Sequence, residues 1–270
     1  MFQNYAKQKT VLSRDVTESH LAIAHLDHVS FGYDRQHLVL DNLSLSIRQG
    51  EFLTLLGPSG CGKSTILNLV AGFYKPLLGA VTHNGYEIVG PSSQRGVVFQ
   101  GDALFDWMTV KQNIAFGLRF LPISKRDQAF RVRSLIELVG LSGHENKYPY
   151  QLSGGMRQRV GVARSMVVQP EILLMDEPFA AVDVQTREGL QEETLKLHER
   201  IQGAILFVTH SIEEAVFLSD RILILSRNYG EIYDEIIIDL PTPRYASLNR
   251  VSEEFNAYRK YIYMKMTELY

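Results

Sequence analysis

A glycine-rich segment at residues 57–65 has the residue types and the spacing that are needed to hold a polyphosphate. It reads GPSGCGKST and matches the pattern G-x-x-x-x-G-K-[ST]. Glycines let backbone N–H groups approach an anion, the lysine reaches the β- and γ-phosphates, and the hydroxyl after it binds Mg²⁺. The segment therefore predicts a P-loop that binds a nucleoside triphosphate, with Lys63 on the phosphates and Ser64 on the metal. Every residue of the loop is a candidate contact: Gly57, Pro58, Ser59, Gly60, Cys61, Gly62, Lys63, Ser64 and Thr65.

Two adjacent carboxylates, Asp176 and Glu177, follow a run of apolar residues at 172–175. A continuous apolar run is typical of a parallel strand that is covered on both faces, and catalytic groups in such sheets lie at the carboxyl ends of strands. Asp176 suits Mg²⁺ and its waters, and Glu177 suits removal of a proton from an attacking water. The pair predicts hydrolysis of the triphosphate. A solvated acidic turn is the alternative, which the presence of a P-loop weakens.

Three further residues become candidates because of the P-loop. Gln100 ends the short apolar run 96–100, and could bind the metal or a water near the γ-phosphate. His210 follows the apolar run 204–209, and could hydrogen-bond the γ-phosphate and the water. Tyr33 lies ahead of the loop, where an exposed aromatic could stack on a flat base. Each has a plain alternative, namely a surface amide, a structural histidine and an ordinary strand tyrosine.

A second possible anion site lies far along the chain, in the sequence LSGG at 152–155. Ser153 is a favourable helix N-cap, and the glycines after it leave backbone N–H groups accessible at the start of a helix. Taken alone, this segment is more simply an ordinary capped helix.

The elements that must position these residues can be predicted from periodicity and turn signals. The P-loop lies between an apolar run at 51–56, typical of a buried strand, and a helical run at 66–72 that ends at Gly72. Asn84-Gly85 is a hairpin turn signal. Other strands are predicted at 22–33, 42–47, 80–88, 96–100, 171–178, 204–209 and 221–226, with a hairpin extension at 227–240. Other helices are predicted at 109–120, 124–139, 185–202 and 253–270.

These elements indicate an α/β fold with a mostly parallel sheet around the P-loop. An antiparallel β subdomain lies towards the N-terminus, and a helical subdomain is inserted at about 101–165. Residues 1–20 are predicted to be a flexible leader, and 21–240 to be the nucleotide-binding domain. Pro241 and Pro243 mark a break before a C-terminal helical extension at 241–270.

Composition limits the classes of protein that remain. The chain has 270 residues, 45% hydrophobic and 21% charged, as in a soluble globular protein. The net charge of −2 gives no electrostatic argument for nucleic acid. The longest charge-free run, 201–212, is too short for a membrane span, and the polar N-terminus shows no secretory signal. We therefore expect a cytoplasmic protein, for which any contact with a membrane must run through another protein.

Cys61 is the only cysteine of the chain, so no internal disulfide can form. It lies in the P-loop at the start of a helix, a position that tends to lower the pKa of a thiol. This placement predicts a reactive thiol, alkylation of which would block ATP hydrolysis, with protection by MgATP.

The order of these motifs resembles the ATP-binding subunits of ABC transporters. LSGG between the P-loop and the carboxylate-ending strand is the feature that separates this family from other P-loop proteins. The resemblance covers about residues 20–240 and implies a P-loop core of the RecA-like type, with ATP and Mg²⁺ as cofactors. The motifs are an aromatic at Tyr33, Walker A at 57–65, Gln100, LSGG at 152–155, Walker B at 172–177, Asp183 and His210.

The resemblance implies a role for each matching residue. On the chain's own nucleotide, Tyr33 would stack on adenine, Gln100 would sense Mg²⁺ and the γ-phosphate, and His210 would be the switch histidine. Ser64, Gln100 and Asp176 would surround the Mg²⁺, and Glu177 would be the general base. Asp183 would lie in a loop that crosses the dimer. The residues implied to contact ATP held by a second copy are Ser153, Gly154, Gly155 and Gln158.

Three longer runs resemble the nitrate, sulfonate and taurine group of importers. They are PSSQRGVVFQ from Pro91, YPYQLSGGMRQRVGVAR from Tyr148 and MDEPFAAVD from Met175. Membership would imply that ATP-driven dimer closure powers uptake of a small solute. The implied partners are a second copy, transmembrane permease subunits and, indirectly, a substrate-binding protein, with this chain on the cytoplasmic face of the membrane. Val182 and the pair Trp107-Met108 depart from the group's usual residues.

Two other classes of protein fit the sequence less well. A soluble ABC ATPase that acts on ribosomes or DNA ends usually has two cassettes in one chain or a long coiled-coil insertion, and this sequence has neither. A P-loop kinase or GTPase is disfavoured by LSGG and His210, and the sequence has no N-K-x-D guanine motif.

Overall fold

The computed structural model describes residues 22–34, 37–101, 103–180, 182–201, 203–245 and 249–269. The predicted leader at 1–20 lies outside these ranges.

A mostly parallel sheet forms the centre of the fold, in the strand order β10-β9-β3-β8-β7-β6. Within this sheet, β3, β6, β7, β8 and β9 run parallel to one another. The last strand, β10, pairs antiparallel with β9, as expected for the predicted hairpin extension. Every residue of β3, β8 and β9 is buried, which agrees with their largely apolar sequences. The strands are β3 (Phe52–Leu56), β6 (Arg95–Val98), β7 (Ile172–Asp176), β8 (Ala204–Thr209), β9 (Arg221–Leu225) and β10 (Ile232–Ile237).

A second sheet is antiparallel and has the strand order β2-β1-β4-β5. Its members are β1 (Ala22–Phe31), β2 (Leu40–Arg48), β4 (Leu78–His83) and β5 (Tyr86–Glu87). In β2 the alternating residues Leu43, Leu45 and Ile47 are buried, as predicted for a strand with one covered face. The predicted turn at Asn84-Gly85 is confirmed, because both residues have positive φ angles, 51° and 79°.

The helices cover the parallel sheet and fill the region between β6 and β7. They are α1 (Lys63–Ala71), α2 (Val110–Ala115), α3 (Lys125–Leu138), α4 (Gly154–Met166), α5 (Val184–Ile201), α6 (Ile212–Leu218) and α7 (Glu253–Thr267). The predicted helix at 109–120 is regular only in its first half and continues as a 3₁₀ helix over Phe116–Phe120. The change occurs beside Gly117, where a Cβ would lie 2.8 Å from Val168 Cγ1, so the chain passes close to its neighbour.

Three clusters of buried apolar side chains form the core. One lies between the two sheets and includes α1, and a second lies on the other face of the parallel sheet under α5, α6 and α7. The third lies among the helices between β6 and β7 and includes Ile114, Ile136 and Val160. This cluster supports a helical insertion, whose boundaries stay a prediction. In the part of the chain that is described, none of the helices combines the length and apolar composition needed to cross a membrane.

Candidate functional site

Five predicted site residues meet at the carboxyl ends of the parallel strands. The Ser64 hydroxyl at the start of α1 donates to Asp176 Oδ1 over 3.0 Å. Glu177 Oε2 lies 3.1 Å from His210 Nδ1 and 3.5 Å from Gln100 Nε2. The contacts arise because β6, β7 and β8 are neighbours in the sheet and end at the same edge. The structure thus joins residues that lie more than a hundred positions apart in the sequence.

Lys63 points its ammonium into the P-loop itself. The side chain is buried, and Nζ donates to the carbonyl oxygens of Gly57 and Pro58, each over 2.8 Å. Gly62 has a φ of 99°, and a Cβ there would lie 2.6 Å from Leu40 Cδ2, so a side chain would strain both the backbone and the packing. The loop therefore keeps a positive charge enclosed by backbone.

The start of α1 suits an anion. Its N-cap is Gly62, and no side chain caps it, whereas α3, α4, α6 and α7 each begin at a serine that accepts a backbone N–H. Uncapped N–H groups, the helix dipole and the Lys63 ammonium together favour phosphate groups. The hydroxyl of Ser64 and the carboxylate of Asp176 are the oxygen ligands that Mg²⁺ takes beside phosphates and waters. The residues present therefore fit a Mg²⁺-bound nucleotide.

Burial raises the pKa of the Asp176 carboxyl. The hydrogen bond from Ser64 and the charge of Lys63 oppose that rise, and the neighbouring Glu177 adds to it. A divalent cation at this carboxylate would favour its charged form and so offset the effect of burial.

Glu177 is held in an unusual backbone conformation. Its φ is 43°, in the left-handed region that side-chain-bearing residues rarely adopt, and its N–H donates to Val208 O over 3.0 Å. This turn directs the carboxylate towards His210 at the strand edge. Strained backbone of this kind is concentrated at functional sites.

Tyr33 lies at the rim of the P-loop. Its ring is largely exposed, and its hydroxyl lies 3.2 Å from Thr65 Oγ1. Edge-on contacts with Phe31 and Tyr74, at 5.4 and 5.7 Å between ring centroids, fix the ring in place. Tyr74 could not be identified from the sequence, because nothing marks an aromatic just after the end of α1 as a support for Tyr33.

The residues predicted to contact a second copy's ATP differ in exposure. Ser153 and Gly154 are exposed at the start of α4, whereas Gly155 packs against Thr186, where a Cβ would lie 2.5 Å from Cγ2. Gln158 is only 5% exposed, and its Nε2 has no hydrogen-bond partner among the described residues. Gln158 lies about one helical turn after Ser153, on the side of α4 that faces the interior. Its side chain is therefore not part of the exposed surface at the start of α4.

Asp183 is exposed and precedes α5. Its Oδ1 accepts the backbone N–H of Thr186 over 3.0 Å, so it caps the helix. Since Thr186 also packs on Gly155, the segment predicted to cross the dimer lies directly beside the start of α4.

The expectation of a reactive Cys61 is wrong. The thiol is only 1% exposed, and burial raises its pKa more than the nearby Lys63 lowers it. Cys61 does lie at a helix start, but its sulfur packs inward beside Gly57 of the same loop, in the buried cluster that includes Leu225. Sequence spacing does not show this packing. Ready alkylation of the folded protein is therefore not expected.

Ser211 and Glu214 have the residue types and spacing of a capping box, but only half of that box is formed. The Ser211 hydroxyl accepts the backbone N–H of Glu214 over 3.3 Å, as a cap does. The Glu214 side chain, however, does not return to the cap. It is buried and accepts a hydrogen bond from the Thr209 hydroxyl over 2.6 Å.

Comparison with known proteins decides the family. Residues 40–180 match the family model described as ABC transporter. The chain is 42% identical over 231 residues to the nitrate import ATP-binding protein NrtD of Synechocystis, covering 86% of this chain and 87% of that protein. It is 43% identical over 232 residues to the taurine import ATP-binding protein TauB of Yersinia pseudotuberculosis, covering 84% and 91%. This chain belongs to the ABC transporter family.

A solved structure supports the same assignment at the level of the fold. A dimeric ATP-binding cassette in a post-hydrolysis state, bound to ADP and phosphate, superimposes with a TM-score of 0.70 at 31% identity. The match covers 80% of this chain and 99% of the cassette. As a family member with this site, the chain is an ATP-binding and ATP-hydrolysing subunit.

Proposed function

We propose that this chain powers uptake of a small solute, such as taurine, an aliphatic sulfonate or nitrate, through an ABC importer. The proposal is supported by the relatives named for nitrate and taurine import, which align over most of the chain. The ATPase role rests on one arrangement at the sheet edge, where Ser64 contacts Asp176 and Glu177 contacts His210.

Within the site, each side chain has a separate role. Ser64 and Asp176, with Gln100 nearby, would hold Mg²⁺, which when bound neutralises phosphate charge. Glu177 accepts the proton of the attacking water, and His210, 3.1 Å away, orients that carboxylate and hydrogen-bonds the γ-phosphate. The loop at 57–65 holds the phosphates, and Tyr33 stacks on the adenine.

The site is half of a functional unit. Ser153 and Gly154 are exposed at a helix start, a suitable place for the γ-phosphate held by a second copy, with Gly155 and Asp183 supporting that surface. Two identical chains arranged head to tail form a closed twofold dimer with two such sites. ATP stabilises the closed dimer because it binds both surfaces there and only one in the open state. Any contact by Gln158 requires its buried side chain to turn outward.

A groove beside Gln100 suits the permease. Its volume is about 350 Å³, and its walls are mainly apolar and aromatic, with Arg164 lying over the ring of Phe105. Trp107 is 72% exposed and packs on Phe105 at the rim. A groove that adjoins Gln100 can report the state of the nucleotide to a membrane subunit. Its lining includes Val97, Phe99, Phe105, Phe116, Gly117 and Val168.

Partner binding tests this proposal. The tagged full chain, purified from detergent-solubilised membranes of its own cell, is expected to bring down a multi-span membrane protein. Trp107→Glu should reduce that yield by about tenfold or more, because buried tryptophans often dominate interfaces. Phe130→Glu is the matched control, since Phe130 is 70% exposed on α3 and lies outside the groove.

The outcomes of that purification separate the two functional classes. Equal yields for both variants would contradict the groove as the docking site. Recovery from the soluble fraction alone, without a membrane protein, would favour the alternative of a soluble ABC ATPase not tied to transport.

With the complex in proteoliposomes, ATP-dependent uptake of labelled taurine, alkanesulfonate or nitrate would identify the solute. The chain would lie on the cytoplasmic face of the membrane, attached through the permease. A substrate-binding protein would deliver the solute to that permease.

A further inference from the structure

A line of hydrogen bonds runs from the C-terminal extension to the residue before His210. Arg250 Nη2 donates to Gln191 Oε1 over 2.7 Å, and Gln191 Nε2 donates to Glu214 Oε1 over 3.3 Å. The other carboxylate oxygen of Glu214 accepts from the Thr209 hydroxyl over 2.6 Å. The line thus joins the chain after the proline break to α5, to α6 and to the end of β8.

The chemistry of the groups fixes the direction of each bond. Arg250 can only donate, so the Gln191 amide must present its oxygen to Arg250 and its NH₂ to Glu214. An ionised Glu214 can only accept, so the Thr209 hydroxyl must direct its hydrogen there. Gln191, Thr209 and Glu214 are all buried, and a partner lost from such a group leaves a costly unpaired atom.

The Thr209 hydroxyl also spans His210. Its oxygen accepts the backbone N–H of Ser211 over 3.0 Å, so one side chain ties together the residues on either side of the histidine. Because Glu214 takes the hydroxyl hydrogen, the oxygen lone pairs stay directed at Ser211. The turn that carries His210 is thereby held in one conformation, with Nδ1 3.1 Å from Glu177 Oε2.

Arg250 is itself anchored. Its guanidinium lies over the ring of Phe217 on α6, 3.5 Å from the ring centroid, and four carboxylates of α5 and α6 contribute negative charge around it. Burial raises the pKa of Glu214, and the hydrogen bond from Thr209 and the charges of Arg187 and His210 lower it. These partners thus oppose the rise in the pKa of Glu214 that burial causes.

We propose that Arg250, Gln191 and Glu214 are positioning residues, through which the C-terminal extension holds His210 in its working orientation. The proposal rests on the role proposed above for His210. It requires an effect on the rate of the hydrolytic step and not on ATP binding, because none of the three residues touches the P-loop.

The test compares steady-state ATPase rates of full-length variants. Glu214→Gln keeps the shape of the side chain, but its NH₂ group then faces a hydrogen-bond donor, either the Thr209 hydroxyl or the Gln191 amide. This variant is expected to lower kcat about tenfold, with KM for ATP within about twofold of the wild type. Arg250→Met should lower kcat about fivefold, and Arg250→Lys, which keeps a donor, should restore most of it. Arg259→Met is the matched control. It removes the 2.8 Å ion pair to Glu213, which also links the extension to α6 but lies outside the line, and kcat should not change.

A double variant separates this proposal from the assignment of His210. His210→Ala is expected to lose about 10²-fold in single-turnover hydrolysis, and adding Glu214→Gln should cost nothing further. Unchanged activity in His210→Ala would instead refute the role of His210.

If His210→Ala is impaired but the Glu214 and Arg250 variants match the wild type, or if the double variant loses a further tenfold, the positioning role is wrong. Thermal unfolding checks each variant. Should Glu214→Gln fail to fold, the comparison of Arg250→Met with Arg250→Lys decides the question.

Discussion

Replacing Glu177 with glutamine is expected to lower the ATPase kcat by about 10²- to 10³-fold while ATP affinity stays within about twofold. Glutamine keeps the size and hydrogen-bonding capacity of the side chain but cannot accept a proton from water. The P-loop and the Ser64–Asp176 pair are not altered, so the nucleotide should still bind. With hydrolysis blocked, ATP should accumulate in the closed dimer, which size-exclusion chromatography with MgATP would detect.

The matched control for this variant is Glu137→Gln, an exposed glutamate on α3 that is remote from the strand edge. It should hydrolyse ATP at the normal rate and should not form a stable dimer with MgATP. A Glu177→Gln variant that turned over at the wild-type rate would show that another group is the base.

Replacing Lys63 with methionine is expected to weaken ATP binding by about 10- to 100-fold. Charge-assisted hydrogen bonds to phosphate contribute about 1.5–3 kcal/mol, and methionine supplies none. In the described structure the ammonium is already enclosed by the Gly57 and Pro58 carbonyls, so little ordering remains when a phosphate arrives. Isothermal titration with ATP measures the change directly.

The control for this second prediction is Lys125→Met, an exposed lysine at the start of α3. It should bind ATP as the wild type does. If Lys63→Met bound ATP with wild-type affinity and had normal thermal stability, the assignment of Lys63 to the phosphate site would be wrong.

The parallel sheet could be predicted from sequence because its strands are buried on both faces and so are continuously apolar. β3, β7 and β8 all carry this signal. The glycine loop after β3 and the polar residues that end β7 and β8 fall at one edge of the sheet, because these strands run parallel. The antiparallel sheet carried the alternating pattern instead, together with the Asn84-Gly85 turn. The helix predicted at 109–120 was only partly correct. Its second half is a 3₁₀ helix, and there Gly117 passes close to Val168, a contact that local sequence does not reveal.

The candidate site was predictable where a motif supplied both residue type and spacing. It was not predictable where burial decided the outcome. Cys61 and Gln158 have polar or reactive groups at positions suited to the surface, yet the packing of the loop and of α4 buries both. Glu214 fits a capping pattern equally well whether its carboxylate faces the cap or the interior. Its inward turn depends on Thr209 and Gln191, which lie on other elements.

We propose that each chain holds half of an ATP site and that the exposed start of α4 completes the site of a second copy. The most direct test adds Gly154→Asp to Glu177→Gln and measures ATP binding and MgATP-dependent dimerisation by light scattering. Aspartate in the first turn of a helix is compatible with the fold, but its charge opposes a γ-phosphate.

At protein concentrations too low for dimerisation, this double variant is expected to bind ATP with the affinity of Glu177→Gln, and at higher concentrations it should remain a monomer where Glu177→Gln dimerises. Dimerisation at the same ATP concentrations as Glu177→Gln, or loss of ATP affinity in the monomer, would contradict this proposal.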